Sequence, residues 1–263
     1  MQTLPENYTI LKTFQDFPFS QVKLVSIKNK KYILKSVPTF FDFEFKRQII
    51  LYKKCKKTTI PKIYLLDKTK GRTNCLMEYF PKDKKVISEK KYIETISIFH
   101  QETKNFKNKN FPIYNEQQLL TQFKTIKKWI PVEMAGLTSK ELKKIFYNIF
   151  NSEYSILHGD WCNAQLISSK GNLALLDFGM SLYGPSILDH AHYFRNKKTI
   201  NKNILKQINI SRDDFLIAIL LESLRYLGWI DWFIKNKFST YKFENEINKT
   251  YNIIKFINKK LKI

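Results

Sequence analysis

Leu157-His158-Gly159-Asp160-Trp161-Cys162-Asn163-Ala164-Gln165 and Leu173-Ala174-Leu175-Leu176-Asp177-Phe178-Gly179 decide how this chain is read. In each stretch an apolar run of strand character ends in an acid, Asp160 in the first and Asp177 in the second. Between them, Gly171-Asn172 separates Leu166-Ile167 from the run Leu173 to Leu176, which predicts a hairpin. Such a hairpin brings Asp160, Gln165 and Asp177 to one edge. That edge offers one carboxylate to a substrate hydroxyl, and two oxygen ligands, Gln165 and Asp177, to a hard divalent cation.

Phosphoryl transfer requires that set. Mg2+ offsets the charge on the β and γ phosphates, and a loop Asp positions the attacking oxygen. The order, spacing and strand context agree with the general template for such sites, with one departure. The template's metal-binding Asn is Gln165, whose carbonyl reaches one methylene further; Asn163 is the alternative ligand.

Working outward, 43% of the 263 residues are hydrophobic and 15% aromatic, so a sizeable core can be buried and bulk disorder is excluded. Lys and Arg number 46 against 23 acids, a formal charge of +23 that would ordinarily point to nucleic acid or an anionic membrane. Only five of the 46 are Arg (Arg47, Arg72, Arg195, Arg212 and Arg225), and the chain is rich in Asn, Ile, Phe and Tyr, whose codons are AT-rich like those of Lys. The charge is also spread rather than clustered, so it reads as coding bias, and no nucleic-acid partner is expected. Cys55, Cys75 and Cys162 lack CxxC spacing, which argues against a zinc site or a disulfide framework and fits a reducing compartment. The first residues contain no apolar signal-peptide core, and Glu222, Arg225 and Asp231 interrupt the apolar stretch from Phe215 to Ile234. A cytoplasmic protein without a membrane span is expected.

Residues 1–80 read mainly as strands. Val22 to Ile27 and Tyr32 to Leu34 flank the polar turn Lys28-Asn29-Lys30, a helix is predicted from about Phe40 to Lys53, and two short strands follow at Ile63 to Leu66 and Cys75 to Phe80. After Pro81 apolar residues recur at helical spacing, as in Tyr92, Ile93, Ile96 and Phe99, or Leu119, Leu120, Phe123 and Ile126. Thr138 with Glu141 forms a capping box, Ser211 with Asp214 opens another helix, and Phe243 to Ile257 marks the last. A β-rich front and a helical back, with a β island at Ile156 to Phe178, make a two-lobed plan.

HGDWCNAQLI followed by LALLDFGMSLYGPSILDHA resembles the aminoglycoside phosphotransferase and choline kinase-like family of small-molecule kinases. The resemblance implies an α+β, bilobal protein kinase-like fold with a small β-rich N-lobe and a larger, mainly helical C-lobe. Residues 1–80 would form the nucleotide-binding lobe, and residues 81–263 would carry the catalytic loop and acceptor-binding helices. Asp160 becomes the catalytic residue, and Gln165 and Asp177 the Mg2+ ligands; Gln at the amide position occurs in some relatives. Tyr32-Ile33-Leu34-Lys35 looks like the strand whose Lys pairs with the α and β phosphates of ATP or GTP, with Glu44 as its ion-pair partner; Lys31 competes but belongs to the polar turn. Leu76 to Pro81 resembles the hinge between lobes, which places Glu78 and Phe80 at the nucleotide, and the phosphate loop falls near Phe19-Ser20-Gln21 without a Gly. His158 braces the catalytic loop, and Asp189, after the DFG, supports it.

The implied activity is transfer of the γ-phosphoryl group to a hydroxyl of a small acceptor such as an aminoglycoside, aminosugar, sugar or choline-type amine. A protein acceptor is disfavoured, because no long activation segment ending in APE follows Phe178-Gly179. In the family the acceptor binds near the C-terminal helices, here with Asp213, Asp214, Glu222, Asp231, Trp229 and Trp232; acids among aromatics suit a cation, while the charge of +23 favours an anionic or neutral acceptor. His190 and His192 lack a third spaced metal ligand. The alternative reading is a pseudokinase-type nucleotide-binding or interaction protein without phosphotransfer.

Overall fold

The structure, a computed structural model, describes residues 4–5, 7–17, 19–69, 71–83, 86–195, 197, 202–236 and 243–262. In chain order the elements begin with β1 (Thr9–Phe17), β2 (Ser20–Ile27), β3 (Lys30–Pro38), α1 (Phe43–Lys54), β4 (Ile63–Thr69), β5 (Arg72–Glu78) and α2 (Glu89–Thr103). Then come α3 (Glu116–Ile126), α4 (Val132–Ala135), α5 (Ser139–Phe150), β6 (Tyr154–Leu157), β7 (Leu166–Ser169), β8 (Asn172–Leu175) and β9 (Leu182–Pro185). The chain closes with α6 (Ile187–Phe194), α7 (Lys202–Gln207), α8 (Arg212–Lys235) and α9 (Glu244–Leu261). These elements group into two compact units: Met1–Thr103, Asn108–Asn110 and Cys162–Ser181 in one, Lys104–Lys107, Phe111–Trp161 and Leu182–Ile263 in the other.

The first unit is built on an antiparallel sheet of order β1-β2-β3-β5-β4. The predicted β2–β3 hairpin closes on Lys28 and Asn29, both at positive φ (48° and 64°), the geometry that matches a two-residue turn to the strand twist. Register then sorts the faces. β3 pairs Lys35 with Cys75 and Ile33 with Met77, so these four share one face, while Leu34 with Leu76 and Tyr32 with Glu78 share the other. The first face buries Val37, Cys75 and Met77 against Phe45 of α1, and the second gathers Val25, Leu34 and Leu76. β1 is a strand of this unit that the sequence pattern does not single out. It is an edge strand with solvent on both faces, and Leu11 and Phe14 sit where its register with β2 slips. The β7–β8 hairpin belongs to this unit and joins it through a bridge from Ala174 to Thr59.

The second unit is mainly helical and centres on α8, which contacts α3, α5, α6 and α9. α8 is apolar around much of its circumference, as befits a helix surrounded by others; Phe215, Leu220, Leu224, Leu227 and Ile230 are fully buried. The two predicted helix starts are in place: Thr138 and Glu141 make both bonds of a capping box, and Ser211 accepts from the Asp214 amide. β6 pairs with β9, so the strand that delivers Asp160 is held by the strand that precedes α6. No helix among the described residues is long and apolar enough to cross a membrane.

Candidate active site

In the first unit three separated stretches converge on one ammonium. Lys35 Nζ, from the middle of β3, lies 2.8 Å from Glu44 Oε1 in the first turn of α1 and 3.3 Å from Asp177 Oδ2 just beyond β8. Lys35 and Glu44 are both buried. Burial alone would lower the pKa of the Lys35 amine; Asp177 and Glu44 outweigh that cost and hold it above the usual lysine value. Lys35 thus meets Glu44, the partner the sequence suggested for it, and Asp177 joins the pair; Lys31 is exposed at the start of β3.

Asp177 has φ +60°, a left-handed conformation that Asp tolerates when its carboxylate bonds locally, and its Oδ1 accepts from the Gly179 amide at 3.3 Å. Gly179 is closely approached, since a Cβ there would lie 3.2 Å from Glu44 Oε2 and 3.3 Å from Asp177 Oδ1. Arg47, one turn beyond Glu44, donates to the carbonyls of Gly179 (2.7 Å) and Asn110 (2.9 Å) and lies over the Phe43 ring. It ties α1 to the segment that carries Asp177. Nothing in the sequence marks Arg47 for this role, because a basic residue on a helix ordinarily reads as a solvated charge.

Gln165 ends a short 3-10 turn, and its carbonyl accepts from the Leu176 amide at 2.9 Å, so the β7–β8 hairpin sets it beside the residue that precedes Asp177. The two predicted metal ligands therefore share one end of one hairpin. Among the described residues no group of three or more His, Cys, Asp or Glu could hold a metal by itself. The donors available, one carboxylate and one amide oxygen, are hard oxygen ligands. They suit Mg2+, which takes one or two protein oxygens and completes its shell with phosphates and water.

Glu78 ends β5 and Phe80 lies two residues beyond it. They line a cavity of about 520 Å3 with Tyr52, Lys53, Thr58 and Ile60, and Lys35, Glu44 and Asp177 do not line it. Glu78 Oε2 accepts from the Lys62 amide at 3.2 Å and the Glu78 amide donates to Lys62 O at 2.9 Å, so its side chain is committed to the strand's own neighbour. Ser20, within the predicted phosphate loop, opens β2 and is buried.

The second unit holds Asp160. Its loop is pinned from behind: Asp189 Oδ2 accepts from the His158 amide (2.7 Å) and Oδ1 from the Gly159 amide (2.9 Å). Gly159 itself has φ +83°, a conformation that a side chain would strain. Arg225 of α8 donates to the Gly159 carbonyl, so the main chain before Asp160 is held at both its donor and its acceptor. His158 is fully buried with its ring 5.6 Å from that of Trp161. His192 of α6 places Nε2 3.3 Å from Asp160 Oδ1 and Nδ1 2.7 Å from Glu222 Oε1. Two other acids of α8 are engaged: Asp231 pairs with Lys235 at 2.6 Å, and Asp214 accepts from Ser211 at 2.7 Å. Glu222 is fully buried between His192 and Arg225, so it is not an acceptor-facing acid.

No family model matches the sequence, and no curated protein matches it. Solved structures do match. Aminoglycoside phosphotransferase APH(4)-Ia, in a ternary complex with ADP and hygromycin B, is 9% identical, with 94% of each chain covered and a TM-score of 0.63. An amicoumacin kinase in complex with AMP-PNP, Ca2+ and amicoumacin is 15% identical, covering 98% of this chain and 89% of that one with a TM-score of 0.61. A candidate fructosamine-3-kinase from Haemophilus somnus is 16% identical, covering 96% of this chain and 91% of that one with a TM-score of 0.63. The chain has the fold of these small-molecule kinases: α+β and bilobal, with a small lobe on a five-stranded antiparallel sheet and a larger helical lobe.

Proposed function

We propose that this chain is a small-molecule kinase of the cytoplasm that moves the γ-phosphoryl group of ATP or GTP to a hydroxyl of a small acceptor, an aminoglycoside, aminosugar, sugar or choline-type amine. The convergence of Lys35, Glu44 and Asp177 carries the reading, because a buried Lys–Glu pair from β3 and α1 meets the solvent-accessible Asp177 beyond β8, and packing alone would not collect three charged groups at one point. The structural neighbours solved with ADP and hygromycin B, or with AMP-PNP, Ca2+ and amicoumacin, support it. Residues 1–80 would serve the nucleotide and residues 81–263 the acceptor, with Glu78 and Phe80 at the base.

In this mechanism Lys35, steadied by Glu44, donates to the phosphate oxygens. Asp177 and Gln165 would hold a Mg2+ ion, which would supply charge neutralisation to the phosphates. Asp160 orients the acceptor hydroxyl and accepts its proton as the new O–P bond forms and the bond from the γ phosphorus to the bridging oxygen breaks, leaving the nucleoside diphosphate.

Thermal unfolding with Mg·ATP and Mg·GTP tests the nucleotide half. Ligand at about 100 times its Kd adds about 2.7 kcal/mol, a midpoint rise of roughly 5–10 °C for a chain of this size. The rise should need Mg2+ and vanish in Asp177→Ala. Product formation in an acceptor screen, abolished in Asp160→Asn, tests the transfer half. No shift with either nucleotide sinks the reading, and a shift without turnover of any acceptor leaves a pseudokinase.

A further inference from the structure

Four ionisable side chains, bases and acids in alternation, follow one buried path that ends at the Asp160 carboxylate. Arg225 grips Glu222 with Nε at 2.6 Å and Nη2 at 2.8 Å. Glu222 Oε1 meets His192 Nδ1 at 2.7 Å, and His192 Nε2 meets Asp160 Oδ1 at 3.3 Å. Glu222 has no solvent exposure, Arg225 and His192 have next to none, and Asp160 alone is partly open. We propose that His192 is a positioning residue: as an imidazolium locked in place by Glu222 and Arg225, it fixes the orientation of the Asp160 carboxylate. This rests on the reading of Asp160 as the group that receives the acceptor's proton.

The donor count gives the reason. A neutral imidazole carries one N–H, so it can satisfy Glu222 or Asp160, and the remaining nitrogen would aim a lone pair at a carboxylate oxygen. The protonated ring donates to both. Other groups act on the ring as well: Arg195, at the end of the same helix, repels the charged form, and Tyr226 of α8 packs its ring edge-on with centroids 6.0 Å apart. Arg195 lies over Tyr226, its guanidinium carbon 3.6 Å from the ring centroid. Burial opposes the charge most strongly, followed by Arg195, yet bonds to Asp160 and Glu222 together raise the ring above its ordinary pKa of 6.5. Arg225 adds a second hold on the same loop through the Gly159 carbonyl. α8 thus controls the loop's main chain directly and its working side chain through His192.

Histidine-ring NMR over a pH series, on wild type, Asp160→Asn and Glu222→Gln, reads the link without turnover. His192 should titrate above 6.5 in wild type and lower in both Asp160→Asn and Glu222→Gln, since each removes a carboxylate that holds its proton. An unchanged His192 titration in Asp160→Asn overturns the proposal. With an acceptor in hand, kcat should decline on the alkaline side as His192 loses its proton. In His192→Gln, whose amide cannot titrate, that decline should vanish and kcat should drop about tenfold or more, with the nucleotide KM kept. Wild-type kcat and an intact alkaline decline in His192→Gln would also overturn it. If no acceptor is ever phosphorylated, the kinase reading fails, and the titration still decides whether His192 and Asp160 are coupled.

Discussion

Glu44 Oε2 occupies the space that a Cβ on Gly179 would enter, at a separation of 3.2 Å. The absence of a side chain at that one position lets Glu44 and Asp177 crowd the same ammonium. Gly179→Ala meets only the ends of two side chains, so they give way by a few tenths of an ångström and the fold survives. The cost should appear where the two carboxylates act, as a loss of about 1 kcal/mol, roughly fivefold, in nucleotide affinity. Calorimetric titration with Mg·AMP-PNP measures it, and affinity equal to wild type would mean that the Lys35–Glu44–Asp177 spacing is unimportant to the nucleotide.

Asp189 gives each of its oxygens to a different main-chain amide of the Asp160 loop. Asn in its place keeps one oxygen and turns an NH2 toward the other amide, leaving a buried N–H without an acceptor. Asp189→Asn is therefore expected to destabilise by about 2 kcal/mol, near 4–8 °C in Tm, and to lower turnover by loosening the loop. A denaturation curve at the wild-type midpoint would show that the loop does not depend on this carboxylate.

The His192–Glu222 pair sets a pH window for stability. His192 has a raised pKa, because its two carboxylate bonds outweigh burial and Arg195, so its contribution is whole below the ordinary 6.5 and is lost as pH climbs through the folded value. For Glu222 burial pushes upward, but Arg225 and His192 prevail and lower its pKa; its contribution is whole above the ordinary 4.5 and is lost as pH falls through the folded value. Between those limits the pair should contribute fully. Urea midpoints at about pH 4, 6 and 9 should be highest at the middle value, and His192→Gln should lose the decline on the alkaline side only. A decline unchanged in that variant would assign it to other groups.

What could be read from the chain alone was local. The Lys28-Asn29 turn, the Thr138–Glu141 capping box and the two acids at strand ends are signals contained in a few adjacent residues, and they appear in the fold where the pattern put them. His192 could not be read in this way. Its meaning comes from Glu222 and Asp160, which lie on α8 and the loop after β6, and a His followed by no spaced ligand looks like core. Arg47 is hidden among many cations, and β1 alternates neither cleanly apolar nor cleanly polar because it packs on neither face.

β1 leaves one side of the sheet without a neighbour, and it carries Ile10, Leu11, Phe14 and Phe17 in the open. A flat strand of that composition would be a template on which another copy could zip, the first step of a cross-β stack. Leu11 and Phe14 are the residues skipped in its register with β2, so the strand is kinked twice within its length, and Lys12 lies between them. The greasy residues themselves break the ladder that would make them dangerous. Excising Leu11 and Phe14 to make the surface more polar would flatten the strand, and with it remove the barrier to fibre growth.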